Sequence, residues 1–326
     1  MGSGAASDSV ALSDSVALSS SVALPGLHAN SLAVMTNGYL AMLAARTESI
    51  GSVLCVGIDP VPDAIPAGLP GGLAGVERFA RLIVEATAPV AAAMKPNLAF
   101  FEAFGSPGLA ALERVRAAIP AGIPVIADAK RGDVETTVAR HAVALFERLG
   151  VDAVTASPYL GLGALEPFLE RDGRFTYILC RTSNPAAGEL QDLVVAADPD
   201  RGFPAEPLHR RVARLVAAAG LGERAGLVVG ATAPAELAGL RAIVPGLAFL
   251  VPGVGAQGGE AADVLASGTA TALPAGGRPG GGLLVNVSRG IAGAALGKPS
   301  TGRPEDPGER LAEAARAWAT RLPVLG

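Results

Sequence analysis

The chain has 326 residues, of which half are apolar and only 17% are charged, which is enough for one large hydrophobic core or two modest ones. Its net charge of −4 and the lack of Lys/Arg runs with interleaved aromatic residues argue against a nucleic-acid-binding protein. No apolar stretch reaches the roughly 20 residues that a membrane span needs, because glycine, proline or a charged residue interrupts each one.

The first 34 residues differ in composition from the rest of the chain. Residues 7–12 and 13–18 both read SDSVAL, and residues 19–24 read SSSVAL. Three copies of so short and polar a repeat are too few for a β-solenoid. We therefore expect a disordered Ser/Ala-rich extension at residues 1–34 and one domain at residues 35–326. A secretory signal is not expected, and a translation start at Met35 is a hypothesis that N-terminal sequencing would test.

From about residue 50, short apolar segments that predict strands alternate with helical patterns. The predicted strands are residues 53–58, 90–95, 124–128, 153–157, 176–181, 227–229, 248–251 and 283–286. Apolar residues at helical spacing predict helices over residues 138–149, 206–219 and 233–243. Residues 268–282 form a glycine-rich insertion. No role for it follows from the sequence, although it lies close in sequence to a second glycine-rich loop at residues 253–259.

Eight strands that alternate with helices predict parallel pairing, and eight is the number that closes a barrel. The expected fold is therefore an α/β protein with a single (β/α)8 TIM barrel. A doubly wound open sheet is the structural alternative. It would need a glycine-rich turn after the first strand, where this chain has only Gly57.

Barrel enzymes build their active sites at the carboxyl ends of the strands, and polar residues follow most of the predicted strands. They are Asp59 after the first strand, Lys95 at the end of the second and Asn97 after it, Asp128 at the end of the third and Lys130 after it, Ser183 after the fifth, Gln257 after the seventh and Arg289 after the eighth. Only three of the 26 basic residues are lysines. Two of them, Lys95 and Lys130, end apolar segments, where an ammonium group is costly to desolvate, so both are candidates for chemistry.

Asp128 and Lys130 are two residues apart on one strand and should share a face. The adjacent strand would bring Lys95 within reach of Asp128. In such an array each charge compensates its neighbours in a site that excludes water. A structural salt-bridge network at the barrel rim is the alternative interpretation, although buried ion pairs rarely improve stability on balance.

The last two strands predict a phosphate site. The loop at residues 253–259 reads GVGAQGG and presents backbone amides without side-chain obstruction, and Arg289 follows the next strand, where barrels often bind phosphate. His28, His141 and His209 are too scattered to form a metal site. We therefore predict no metal ligands.

The remaining residues of note are expected to be structural. Cys55 and Cys180 lie in apolar segments and should be buried free thiols of a cytoplasmic protein. Trp318 should pack the final helix, and Tyr159 and Phe168 should pack in the barrel.

Residues 128–133, which read DAKRGD, resemble the D-x-K-x-x-D signature of orotidine 5'-phosphate decarboxylases. The same resemblance extends to CVGIDP at 55–60, KPN at 95–97, TSNP at 182–185, VGAQGG at 254–259 and SRG at 288–290. These motifs occur in the family's order and cover about residues 38–322. The forms at 95–97 and 128–133 are similar to the longer bacterial branch of the family.

This resemblance implies a cofactor-free conversion of orotidine 5'-monophosphate to UMP and CO2 in pyrimidine biosynthesis. Lys95, Asp128, Lys130 and Asp133 would be the catalytic residues. Asp128 would lie against the substrate carboxylate, and Lys130 would protonate C6 of the pyrimidine.

The resemblance also implies how the nucleotide is bound. The implied contacts are Asp59 and Lys95 with the ribose hydroxyls, Ser183 with the pyrimidine, Gln257 and Arg289 with the 5'-phosphate, and Asn97 as a further binding residue. Asp133 and Thr137 would reach into the partner's site of a homodimer. Residues 184–204 would belong to a closing lid.

Three other functions fit parts of this pattern. A Mg²⁺-dependent sugar-phosphate decarboxylase on the same barrel would need a carboxylate where Lys95 stands. A Schiff-base aldolase could use Lys130 as its nucleophile. A non-catalytic phosphate-binding barrel would not need two lysines packed with two aspartates.

Overall fold

The computed structural model of the chain describes residues 1–2, 38–296 and 306–325. The SDSVAL repeats and Lys298 lie outside these residues, so the predicted extension is not described. The strands are β1 Leu54–Ile58, β2 Ala93–Pro96, β3 Ile126–Arg131, β4 Ala153–Ala156, β5 Phe175–Arg181, β6 Val194–Val195, β7 Glu206–Pro207, β8 Ala225–Val229, β9 Phe249–Pro252 and β10 Leu283–Val287.

The helices follow most of these strands and pack around them. They are α1 Tyr39–Ile50, α2 Gly72–Thr87, α3 Ala99–Glu102, α4 Gly105–Ala118, α5 Glu135–Ala142, α6 Glu166–Leu169, α7 Gly188–Gln191, α8 Leu208–Ala218, α9 Pro234–Ile243, α10 Ala261–Gly268, α11 Arg289–Ala292 and α12 Pro307–Arg321. A π-helical turn, Val143–Arg148, continues α5. No helix among the described residues is long and apolar enough to cross a membrane.

The predicted (β/α)8 barrel is confirmed. Eight parallel strands form one sheet in the order β2-β1-β10-β9-β8-β5-β4-β3, with backbone bridges Met94–Val125 and Asn97–Asp128 between the two edge strands. The hydrogen bond from the Met94 N–H to the Pro124 carbonyl, at 2.9 Å, belongs to this closure. Closure gives hydrogen-bond partners to backbone N–H and C=O groups of the two edge strands, which an open sheet would leave unpaired. Because all carboxyl ends then point one way, the predicted site residues share one mouth of the barrel.

The opposite, amino-terminal mouth is closed by α1. Tyr39 at its start is 1% exposed and stacks on Phe175 with the ring centroids 4.8 Å apart. Its hydroxyl lies 3.2 Å from that of Tyr177. Alanines at 92, 93, 153 and 248 in the same cluster leave room for these rings. Aromatic side chains of this size bury much apolar area, so this layer fixes the base of the barrel.

The glycine-rich insertion lies at this same amino-terminal mouth, whereas the loop at residues 253–259, to which it is close in sequence, follows the carboxyl end of β9. Its backbone bonds to the turn before β9, with Thr271 N–H to Pro245 O at 2.9 Å and Ala275 N–H to Gly246 O at 3.1 Å. A side chain at Gly280 would collide with Thr47 of α1. The insertion therefore packs against the base of the barrel, at the end opposite the loop at residues 253–259.

Arg241, on α9, is a buried cation held by backbone oxygens. It is 7% exposed and donates to the carbonyls of Val244 and Leu247, at 2.9 and 2.8 Å, and to that of Gly268. Its guanidinium also lies 3.7 Å from the centroid of the Phe249 ring. Burial lowers the pKa of Arg241 to about 9, which leaves it charged at neutral pH. It thereby joins the carboxyl ends of α9 and α10, where a cation is favoured.

Candidate active site

The carboxyl end of β3 departs from regular strand geometry. Between the paired residues Ala127–Val154 and Arg131–Ala156, β3 advances by four residues while β4 advances by two. Within this bulge Lys130 has a φ of +48°, the one positive value of a non-glycine residue in the described part of the chain. The left-handed conformation is unfavourable for a residue with a Cβ, and here it turns the Lys130 side chain back toward Asp128.

Asp128 lies between two lysines, as the sequence predicts. Its Oδ2 accepts a hydrogen bond from Nζ of Lys95, and its Oδ1 accepts one from Nζ of Lys130. The side chains of Lys95 and Asp128 are 5% and 11% exposed, whereas that of Lys130 is 52% exposed. One lysine is therefore a buried partner of the carboxylate, and the other stands at the open side, where a ligand can reach it.

Charge attraction outweighs burial in this cluster. Burial alone would raise the pKa of Asp128, but the charges and hydrogen bonds of Lys95 and Lys130 hold it well below its usual range. Burial alone would lower the pKa of Lys95, but Asp128, and to a lesser extent Asp59, raise it above its ordinary value. Asp128 is therefore an anion and Lys95 a cation at neutral pH.

A cavity of about 200 Å³ opens on this cluster. It is lined by Asp59, Lys95, Asp128, Pro252, Gly253, Val254, Ala256, Gln257, Asn286, Ser288, Arg289 and Gly290. Two side-chain oxygens in this lining, Oδ1 of Asp59 and Oδ1 of Asn286, are buried without a hydrogen-bond partner among the described residues. Such atoms need a donor, so they mark the wall where a ligand with hydroxyl groups would be held.

The predicted phosphate side forms the other end of the cavity. The loop after β9 is folded on itself by the hydrogen bonds Gly255 N–H to Gly259 O, at 2.9 Å, and Gly258 N–H to Gly255 O, at 2.8 Å. Arg289 is exposed at the start of α11 and lines the cavity beside this loop. The loop and the arginine are therefore in one place, as predicted.

Trp318 supports both parts of this phosphate side from below. A Cβ added at Gly255 or at Gly290 would lie 3.0 Å from the Trp318 indole, and the ring is 9% exposed. The predicted packing of Trp318 is thus confirmed. A larger groove of about 490 Å³ lies along α12 beside this ring, but it contains no member of the Lys–Asp–Lys cluster.

The other predicted residues are placed around this cavity or away from it. Ser183 donates to Oε1 of Gln257 at 3.0 Å. The Asn97 side chain accepts the N–H of Ala99 at 3.3 Å, and Asn97 is not among the cavity-lining residues. Asp133 lies just before α5, and its side chain accepts the Val134 N–H at 2.7 Å. Thr137 lies in the first turn of α5. Neither residue lines the cavity of its own chain.

Residues 52–301 match the family described as Orotidine 5'-phosphate decarboxylase / HUMPS. The chain belongs to this family. A protein from Herpetosiphon aurantiacus named orotidine 5'-phosphate decarboxylase is 44% identical over 254 residues, which are 78% of this chain and 88% of that protein. A protein of the same name from Thermomicrobium roseum is 44% identical over 274 residues, which are 83% of this chain and 88% of that protein. The solved OMP decarboxylase of Leishmania donovani superposes with a TM-score of 0.70 at 37% identity, covering 87% of this chain and 96% of that one.

Two residues at the site were not predicted from the sequence, one packed behind the Lys–Asp–Lys cluster and one in the cavity wall. Thr155, on β4, contacts the bulge of β3 and Asp128. Asn286, on β10, presents its unpartnered oxygen to the cavity. In each case the available signal was a polar residue inside an otherwise apolar strand.

Three of the residues expected to be structural are placed as predicted, and a fourth is not. Cys55 and Cys180 are free and buried, and Phe168 is fully buried. The prediction for Tyr159 is wrong, because this side chain is 77% exposed. It lies in the turn after Pro158, beyond the end of β4.

Proposed function

We propose that this chain decarboxylates orotidine 5'-phosphate to UMP and CO2, as the names of its relatives indicate. The observation that carries the proposal is the Asp128 carboxylate held between Lys95 and Lys130 at one end of a cavity, with Arg289 and the glycine loop at the other. This arrangement offers an anion and a proton donor to one end of a ligand and a phosphate site to the other.

The chemistry suits a carboxylate between two ammonium groups. When the bond between C6 and the carboxylate breaks, CO2 leaves and the electron pair stays at C6, in an orbital that the ring π-system cannot delocalise. The ammonium of Lys130 then stabilises that charge and gives its proton to C6. The resulting neutral amine regains a proton from water. Lys130 suits this role because its ammonium is paired with Asp128, which lines the cavity, and its side chain is 52% exposed.

Nucleotide binding is assigned to the rest of the cavity wall. The unpartnered oxygens of Asp59 and Asn286 would accept hydrogen bonds from ribose hydroxyls, beside Lys95. Gln257 and Arg289 would bind the 5'-phosphate, and Ser183, bonded to Gln257, would reach the pyrimidine. A direct contact of Asn97 with the substrate stays a prediction.

The segment between β5 and α8 is the proposed lid. It contains α7 and the two-stranded hairpin of β6 and β7, which the sequence did not predict. Its helix α7 is bonded to the end of β5, because Gln191 Oε1 on α7 accepts the N–H of Thr182, the residue after β5, at 2.9 Å. Its closure over bound substrate would exclude water from the cluster.

The Mg²⁺-dependent alternative is not favoured by this site. The place where it needs a carboxylate is filled by Lys95, whose ammonium pairs with Asp128 and opposes a divalent cation. Among the described residues, no group of three or more His, Cys, Asp or Glu side chains could hold a metal ion. The Lys95 ammonium at this position is the observation that disfavours the Mg²⁺-dependent alternative.

We further propose a homodimer with composite active sites, in the cytoplasm. Asp133 is outside the cavity of its own chain, and exposed apolar side chains stand near it: Val134 is 55%, Tyr159 77% and Leu160 50% exposed. The loops that carry them touch, because Ser157 N–H donates to Arg131 O at 2.8 Å. Apolar groups in one patch suit a second copy of the chain.

The first experiment follows the loss of orotidine 5'-phosphate absorbance in the presence of EDTA. We expect full turnover by the native chain, loss of it in Lys130→Ala, and no change in the control Arg81→Ala, an exposed site on α2. Near-normal turnover by Lys130→Ala would refute the proton donor. Activity that disappears with EDTA and returns with Mg²⁺ would favour the metal-dependent alternative.

The second experiment tests the composite site by mixing two inactive variants, Lys130→Ala and Asp133→Ala, under conditions of subunit exchange. If Asp133 acts in the partner's site, each mixed dimer contains one site without either substitution, and activity returns. If Asp133 acts in its own chain, every site keeps one substitution and the mixture stays inactive.

A further inference from the structure

Thr155 lies where β3 and β4 stop pairing regularly. It is on β4 and 2% exposed. In the bulge of β3, the N–H groups of Ala129 and Lys130 donate to the Thr155 hydroxyl oxygen, at 3.1 and 3.0 Å. One side-chain oxygen thus accepts two backbone groups that the regular ladder would otherwise pair.

The same hydroxyl is also bonded to the carboxylate at the centre of the cluster. Thr155 Oγ1 donates to Asp128 Oδ1 at 3.2 Å, the oxygen that also accepts Nζ of Lys130. A hydroxyl has one donor and two acceptor positions, and all three are used here. Because Thr155 is buried, water has no access to replace it.

We propose that Thr155 is a positioning residue for the decarboxylation. It holds the Asp128 carboxylate and the left-handed backbone of Lys130 in the relative arrangement that proton transfer to C6 requires. A left-handed lysine persists only when its surroundings over-determine it, and the two hydrogen bonds to Thr155 supply that restraint. The inference rests on the proposed roles of Asp128 and Lys130.

The expected effect is on turnover and not on binding. Thr155 is not among the residues that line the cavity, and the proposed ribose and phosphate contacts come from other strands. Small displacements of a catalytic group from its productive geometry reduce the rate strongly. Loss of the hydroxyl should therefore lower kcat and leave KM nearly unchanged.

The chain offers a closely matched set of variants. Thr155→Val keeps the side-chain volume and removes the hydroxyl, whereas Thr155→Ser keeps the hydroxyl. Thr176→Val makes the same change on β5, where the residue is fully buried and its hydroxyl has no hydrogen-bond partner. This control separates the loss of a buried hydroxyl in general from the loss of this one.

Steady-state kinetics with orotidine 5'-phosphate provide the test. We expect kcat to fall on the order of 10- to 100-fold in Thr155→Val, with KM within about twofold. The reason is that this variant loses the hydrogen bond to the charged Asp128 and the two bonds to the β3 backbone. Thr155→Ser should keep most of the native kcat, and Thr176→Val should match the native chain. Should Thr155→Val fail to fold, Thr155→Ala takes its place beside Thr155→Ser, because these two differ only by the hydroxyl.

Equal kcat in the variants with and without the hydroxyl would overturn the positioning role, as would a loss confined to KM. The failure of the proposed function gives a different result. Normal turnover by Lys130→Ala, or no turnover by the native chain, would refute the function itself. An inactive Lys130→Ala beside a fully active Thr155→Val would refute only the role of Thr155.

Discussion

Substitution of Lys95 by methionine tests whether the ion pair with Asp128 also holds the folded chain together. Methionine keeps the length of the side chain and removes its charge, which leaves Asp128, with a side chain only 11% exposed, short of one partner. Removing one member of a buried pair typically costs 3–5 kcal/mol. Lys130 and Thr155 still bond to Asp128, so we expect a loss of about 3 kcal/mol, or roughly 6–12 °C in Tm.

The pH dependence of this loss has a definite sign. A carboxyl group whose pKa is lowered on folding contributes stability above its unfolded value, near 3.9, which is lost as the pH falls through the folded value. Without Lys95, the pKa of Asp128 should rise, because one of the two charges that oppose the effect of burial is gone. Acid unfolding of Lys95→Met should therefore begin at a higher pH than that of the native chain.

Thermal and urea unfolding at pH 7 measure the effect, with two further variants for comparison. Arg78→Met breaks an ion pair to Glu85 whose two side chains are 47% and 48% exposed, and it should cost less than about 1 kcal/mol. Lys95→Met combined with Asp128→Asn should recover part of the loss, because no buried carboxylate is then left short of a partner. The reasoning is refuted if Lys95→Met is as stable as Arg78→Met, or if the second substitution adds to the loss.

Three other predictions concern the support of the site and the buried thiols. Arg241→Met should lower the free energy of unfolding by about 3 kcal/mol and leave kcat and KM unchanged; an unchanged melting temperature would contradict this. Gly255→Ala places a Cβ 3.0 Å from the Trp318 ring at a φ of +73°, so KM should rise on the order of tenfold, whereas an unchanged KM would show that the loop does not bind phosphate. Burial raises the pKa of Cys55 to about 12 and raises that of Cys180 as well, so neither thiol should react with iodoacetamide at pH 8 before unfolding, as mass spectrometry would show.

The sequence by itself determined the barrel and the chemistry at its mouth. Strand and helix patterns are local, and parallel strands have one possible place for their polar carboxyl ends, so the positions of Lys95, Asp128 and Lys130 along the chain are enough to group them. The same logic placed Arg289 beside the glycine loop. It also predicted buried thiols, because cysteine in an apolar strand has few other places to go.

The tertiary structure decided everything that depends on how strands meet. Asp128 and Lys130 share a face in a regular strand, but they touch here because β3 bulges against β4 and Lys130 turns left-handed. Register between strands is set by side chains far apart in sequence, so neither the bulge nor Thr155 could be read from β3 alone. Likewise, closeness in sequence did not reveal the place of the insertion, because α10, between the glycine loop and the insertion, carries the chain from one mouth of the barrel to the other.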